Sequence, residues 1–209
     1  GVDDAWLADL ERSAREGILF AALRWISSTI GSASLLNELA DATGRIAHLV
    51  EDVKTYSAMD RAEQQRIDLS SGIESTLTML AHKLEGVHVV RDYGEVPEVD
   101  VYAAELNQVW TNLIDNAVDA MEGTGTLTIT TGVDGDDVVV EITDTGPGID
   151  PETSHRVFEP FFTTKDVGKG TGLGLDISRR IVVDRHGGDI TFDSSPGSTT
   201  ARVRLPLSR

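Results

Sequence analysis

The stretch Thr143-Asp144-Thr145-Gly146-Pro147-Gly148-Ile149 constrains this chain more than any other part of it. Residues 138–143, just before it, are dominated by β-branched types and read as a buried strand. A carboxylate is therefore held at a strand end, with two glycines behind it that let a ligand come close to the backbone. An acceptor so placed suits the exocyclic amine of a purine. An ordinary Asp/Gly/Pro turn has the same composition, so the motif alone leaves both readings open.

Three further stretches narrow the choice. Asn112-Leu113-Ile114-Asp115-Asn116-Ala117-Val118-Asp119-Ala120-Met121 lies upstream on an expected helix. Phe158-Glu159-Pro160-Phe161-Phe162-Thr163-Thr164-Lys165 and Gly168-Lys169-Gly170-Thr171-Gly172-Leu173-Gly174-Leu175 follow downstream. The ordered set resembles the N box, first glycine box, F box and second glycine box of the histidine-kinase ATP-binding domain, a fold shared with gyrase and MutL ATPases. The resemblance covers about residues 69–209.

The resemblance implies ATP and Mg²⁺ as ligands and assigns roles by position. Asp144 accepts from the adenine amine, Gly146, Gly148 and Ile149 give the base room, and Thr199 stands near the adenine through water. Asn116 holds the metal, with Asn112 and Asp119 on the same helix face placing metal or water. Lys165 and Lys169 meet the β- and γ-phosphates, with Thr164 beside them. Gly170, Thr171, Gly172, Leu173, Gly174 and Leu175 offer backbone amides to phosphate oxygens, as glycine-rich helix starts do. Phe158, Phe161 and Phe162, three of the chain's five phenylalanines, anchor the base of a lid over residues 151–169. Gyrase-like relatives carry a water-activating Glu at position 112, so Asn112 favours transfer over hydrolysis.

From the residues themselves, Asn112, Asn116 and Asp119 recur at intervals of four and three and line one helix face. Amide oxygens on such a face can ligate a hard cation. A solvated polar stripe is the plainer reading.

The 209 residues hold 40% apolar types, enough for a real core. Acids outnumber bases 35 to 18, a formal charge of −17, which opposes nucleic acid and anionic lipid as partners. No cysteine is present, which excludes disulfides and thiolate chemistry and fits a reducing cytoplasm. No apolar run approaches the ~20 residues of a membrane span. The chain starts within a helical pattern, so it is expected to be the C-terminal part of a longer sensor.

Residues 3–30 read as one helix with an apolar stripe through Leu19, Leu23, Ile26 and Ile30. Gly31-Ser32-Ala33-Ser34 is expected to be a turn. Beyond it Leu35, Leu39, Ala42, Ile46, Leu49, Val53 and Tyr56 form a coiled-coil seam. A helical hairpin over residues 1–66 is expected, completed as a four-helix bundle in a homodimer or packed on its own downstream domain. Its position resembles the dimerisation and phosphoacceptor region of histidine kinases. The usual acceptor His of the first helix is missing, since residues 1–30 hold no histidine. His48, beside the seam residue Leu49 and near Glu51 and Asp52, is the candidate phosphoacceptor; a solvated helix position is the alternative.

Residues 67–209 are expected to form the ATP-binding domain. Residues 61–66 read as a linker, 67–70 as an edge strand, 73–84 as a helix, 87–93 as a strand and 103–121 as the N-box helix. Strands over 127–133, 138–143, 189–193 and 200–205 complete the sheet, with a helix from Gly170 to about Arg185. The expected fold class is α+β, a helical hairpin followed by a two-layer α/β sandwich of the histidine-kinase ATPase (Bergerat) type. Two functions fit: a sensor histidine kinase that passes phosphate to the aspartate of a response-regulator receiver, or a nucleotide-gated interaction module that binds ATP without transfer.

Overall fold

The structure, a computed structural model, describes residues 64–165 and 170–207, together with scattered helical positions between residues 12 and 43. Contacts divide the chain into two units, residues 1–47 and 48–209. Described positions of the first unit are helical, and Thr29, Ser32 and Thr43 each donate a hydroxyl to the carbonyl four residues back. Gly31 and Ser32, expected in a turn, lie in helix. The Ser32 hydroxyl bonds the Ser28 carbonyl and so helps continue it. His48 and most of the expected seam lie outside the described residues.

The second unit is a two-layer sandwich. Its main sheet has five strands in the order β2-β4-β5-β7-β6, formed by β2 (Val87–Tyr93), β4 (Gly125–Asp134), β5 (Asp137–Asp144), β6 (Asp189–Ser195) and β7 (Ser198–Pro206). Only the β2–β4 pair is parallel; the other three pairs are antiparallel. A separate antiparallel ribbon joins β1 (Gln65–Ile67) to β3 (Val99–Val101).

Burial alternates along β5 as period-2 pleating requires: Val138, Val140, Ile142 and Asp144 point inward. Leu127 and Ile129 of β4 and Ala201, Val203 and Leu205 of β7 complete that inner face. The opposite face carries polar cross-strand pairs, Arg202 with Glu141 at 2.6 Å and Thr143 with Thr200 at 2.9 Å.

Three helices cover the inner face: α1 (Leu69–Met79), α2 (Ala103–Ala120) and α3 (Gly174–Arg180). α2 is central, burying Leu106, Val109, Trp110, Leu113, Ile114, Ala117 and Val118. α3 continues as a π-turn over Ile181–Arg185.

Three expectations change at the front of this unit. The strand ends at Ile67, because Asp68 caps α1 by accepting from the Ser70 amide at 2.9 Å. The helix then runs from Leu69 to Met79 and not from 73 to 84. Gln65 and Arg66, assigned to a linker, pair with β3. The last expected helix also starts later, at Gly174 and not Gly170.

Candidate nucleotide site

α2 is the rail along which the site is laid out. At its C-terminal end, Ala120 meets the turn after β5: a Cβ on Gly146 would lie 3.2 Å from Ala120 Cβ and 2.7 Å from Asp144 Oδ1. Glycine at 146 is thus what lets the carboxylate, the turn and the helix end meet. Asp144 is 5% exposed and accepts from the Gly146 amide at 2.8 Å. Burial pushes its carboxyl above the usual range, and the Gly146 amide partly offsets this.

Across the sheet Asp144 is the register partner of Thr199, which is also buried. Thr199 Oγ1 lies 3.0 Å from Ser194 Oγ, and Ser194 Oγ accepts from the Ile149 amide at 2.7 Å. Gly148, at φ +91°, passes so close to β6 that a Cβ would sit 2.6 Å from the Ser195 carbonyl oxygen. Asp144, Gly146, Gly148, Ile149 and Thr199 therefore form one corner.

One turn back along α2 stands a second cluster. The Lys165 ammonium donates to Asn116 Oδ1 at 3.0 Å and pairs with Asp119 Oδ2 at 2.5 Å. A cation thus already sits against the amide oxygen assigned to the metal. The Asn116 amide oxygen is thus turned outward from the helix toward a positively charged partner. Among the described residues no cluster of three His, Cys, Asp or Glu could hold a metal by itself.

The described part of the expected lid is tied at its base. Phe161 donates its amide to the Gly172 carbonyl at 2.9 Å. Both residues have positive φ, 65° and 67°, and a Cβ on Gly172 would lie 2.4 Å from the Phe161 carbonyl carbon. Phe158 stacks near Phe192 with centroids 5.5 Å apart, and Arg156 lies 4.3 Å over Phe162. Those two rings anchor the lid base; Phe161 does not, its ring being 72% exposed.

Gly170 packs near Thr163 and Lys165, the Leu173 amide bonds Thr171 Oγ1 at 3.3 Å, and Leu173 and Leu175 lean on the core. Thr164 is exposed. Lys169 lies outside the described residues.

Asn112 reaches across to α3. Its amide nitrogen donates to the Gly174 carbonyl at 2.9 Å and to Ser178 Oγ at 3.1 Å. Ser178 and Ser194 were not singled out from sequence; each lies far along the chain from the group it serves.

This arrangement has known counterparts. Residues 102–209 match the family described as histidine kinase-, DNA gyrase B-, and HSP90-like ATPase. The chain belongs to that family. It is 35% identical over 78% of its length to the sensor kinase CckA of Brucella abortus, and 31% identical over 83% to the sensory histidine kinase/phosphatase NtrB of Rhodobacter capsulatus. It spans 19% and 52% of those relatives, so it corresponds to part of each. The catalytic domain of histidine kinase ThkA superposes with a TM-score of 0.65 at 29% identity, over 70% of this chain and 97% of that one. ThkA in complex with the response regulator protein TrrA gives 0.66 at 25% identity, over 79% and 49%. The histidine-kinase ATPase fold and an ATP-binding domain follow for this chain.

Proposed function

We propose that the chain is the ATP-binding kinase portion of a two-component sensor, transferring the ATP γ-phosphoryl group to a histidine and then to a response-regulator aspartate. The observation that carries the reading is the buried Asp144 carboxylate facing Thr199, on the same helix rail as Asn116 and Lys165. Buried carboxylates disfavour their charge unless a donor reaches them. The adenine amine is such a donor.

In this reading Asp144 and Thr199 select adenine, while Gly146 and Gly148 leave the base room against the backbone. Asn116 holds magnesium, which would draw charge from the phosphates. Lys165 leaves Asp119 for the phosphates, joined by Lys169, and the glycine-box amides at the start of α3 complete the cradle. A histidine ring nitrogen then forms a bond to the γ-phosphorus as the bond to the β–γ bridging oxygen breaks. ADP departs with that electron pair. Transfer to a receiver aspartate exchanges the P–N bond for a P–O bond.

Within the chain His48 is the proposed acceptor. A homodimer through the helical unit is proposed as well, supported by Trp25, Ile30, Leu35, Leu36 and Leu39, each at least 64% exposed. Sedimentation at tens of micromolar would read a dimer; a monomer there removes that part.

Incubation with γ-labelled ATP tests the transfer. Acid-labile, alkali-stable label that vanishes in His48→Gln supports the acceptor. Label persisting in that variant places the acceptor elsewhere. Tight ATP binding with no label at all points to the non-transferring module.

A further inference from the structure

Asn112 presents to its surroundings the wrong end for a metal ligand. Its amide nitrogen is directed at protein and donates on one side, shared between the Gly174 carbonyl at 2.9 Å and Ser178 Oγ at 3.1 Å. Its oxygen accepts from Gln108 Nε2 at 3.0 Å. Ser178 is fully buried and sends its own hydroxyl proton to the same Gly174 carbonyl at 2.8 Å. Gly174 lies directly against this side chain: a Cβ there would make ordinary contact with Asn112 Cγ, at 3.4 Å.

We infer that Asn112 and Ser178 form a clasp that fixes the glycine-box end of α3 against α2, making Asn112 a positioning residue for phosphate binding and not a ligand of the metal. The inference rests on the nucleotide reading above. Gly174 opens α3, and Asn112 stands one helical turn before Asn116. The clasp therefore sets the distance between the glycine-box amides and the residue proposed to carry magnesium. The far end of the α3–π-turn run is tied down separately, by Arg185 to Glu105 at 3.0 Å and by His186 to the Tyr102 amide at 3.1 Å. Loss of the clasp should loosen the phosphate end while the rest of the helix stays docked. A carboxylate at position 112 could not replace the amide, because it would face the Gly174 carbonyl with a second acceptor.

Titration of adenosine and of ADP, each with magnesium and with EDTA, followed by amide chemical shifts, separates the possibilities. The proteins compared are wild type, Asn112→Ala, Ser178→Ala and Asn116→Ala, each first shown folded by its amide spectrum. The expected result is adenosine affinity within about twofold of wild type in both clasp variants, with ADP affinity down about tenfold, as for the loss of one or two hydrogen bonds. That ADP loss should be equal with and without magnesium, whereas Asn116→Ala loses ADP affinity only with magnesium. A loss in Asn112→Ala confined to the magnesium series would make it a metal ligand and overturn the clasp. Equal losses for adenosine and ADP would reduce it to general packing, and wild-type ADP binding by Ser178→Ala would also overturn it. Wild-type protein that binds neither adenosine nor ADP would sink the nucleotide reading itself, and the clasp's purpose with it.

Discussion

Asp144, the last residue of β5, stands directly opposite Thr199 of β7 in the strand register, and both side chains are buried. An ionisable group and a hydroxyl are thus aimed at one point from two strands that are 55 residues apart in the chain, by their numbering. The pairing is costly for the unliganded fold, because the carboxylate has lost solvent.

The pH dependence of stability should expose that cost. Burial raises the Asp144 carboxyl above its ordinary 3.8 in the folded state, so folding favours the protonated form. Its contribution is fully present below about pH 3.8 and is lost as pH rises through the folded value. At neutral pH the unliganded domain carries the whole penalty. Asp144→Asn should therefore raise the melting temperature at pH 7 and leave it unchanged near pH 3. A lower melting temperature at pH 7 would contradict the assignment.

Glu74 should behave in the opposite sense. Arg91 bonds it at 2.7 Å and holds its carboxyl below the usual 4.5; burial works against this, and the Tyr93 hydroxyl adds to the lowering. Its contribution is present above pH 4.5 and is lost as pH falls through the lowered value. Because Arg91 and Glu74 are 45% and 41% exposed, solvent screening limits the pair to under ~1 kcal/mol. Urea titrations should show Glu74→Gln falling further below wild type at pH 7 than at pH 3.

Gly172→Ala should release the lid base. The new Cβ would meet the Phe161 backbone at 2.4 Å, and φ at 172 is +67°, so the loop must move. Cleavage after Phe161 or Phe162 by a chymotrypsin-type protease should accelerate severalfold, while the melting temperature changes little. Unchanged cleavage would mean that the Phe161–Gly172 bond does not hold the lid.

His186→Ala should destabilise the domain by about 2 kcal/mol, read by chemical denaturation. His186 is 3% exposed, accepts from the Tyr102 amide at the start of α2, and by that geometry carries its proton on Nδ1, donating to the Ile181 carbonyl at 2.7 Å. Truncation leaves both groups buried without this partner. A cost under 0.5 kcal/mol, within the ordinary scatter of surface substitutions, would show that other groups replace it.

Much of this was legible in the sequence where local signals are dense. β2 was read with its correct ends because its apolar positions alternate, and β5 was found, one residue short at each end, because three valines precede a Glu-Ile-Thr-Asp run. β3 was missed: three residues just after Pro97 carry too little periodicity. The start of α1 was misread because Ile67 and Leu69 alternate like a strand, although Asp68 before Ser70 is a helix-cap signal. Asn112 was read on one helix face with Asn116 and Asp119, and its engagement with Gly174 and Ser178 depends on packing that no local spacing reveals. Thr199 was placed near the adenine by resemblance alone, and the strand register now sets it opposite Asp144.

Calorimetric titration of wild type and Asp144→Asn with ATP and with GTP, in magnesium, tests the central claim most directly. With Oδ1 held by Gly146, the substituted amide would turn a donor toward the adenine amine, while guanine presents a carbonyl oxygen there. Wild type should bind ATP at least about tenfold more tightly than GTP, and Asp144→Asn should lose most of that preference. Equal binding of ATP by both proteins, or no preference for ATP in wild type, would contradict the account.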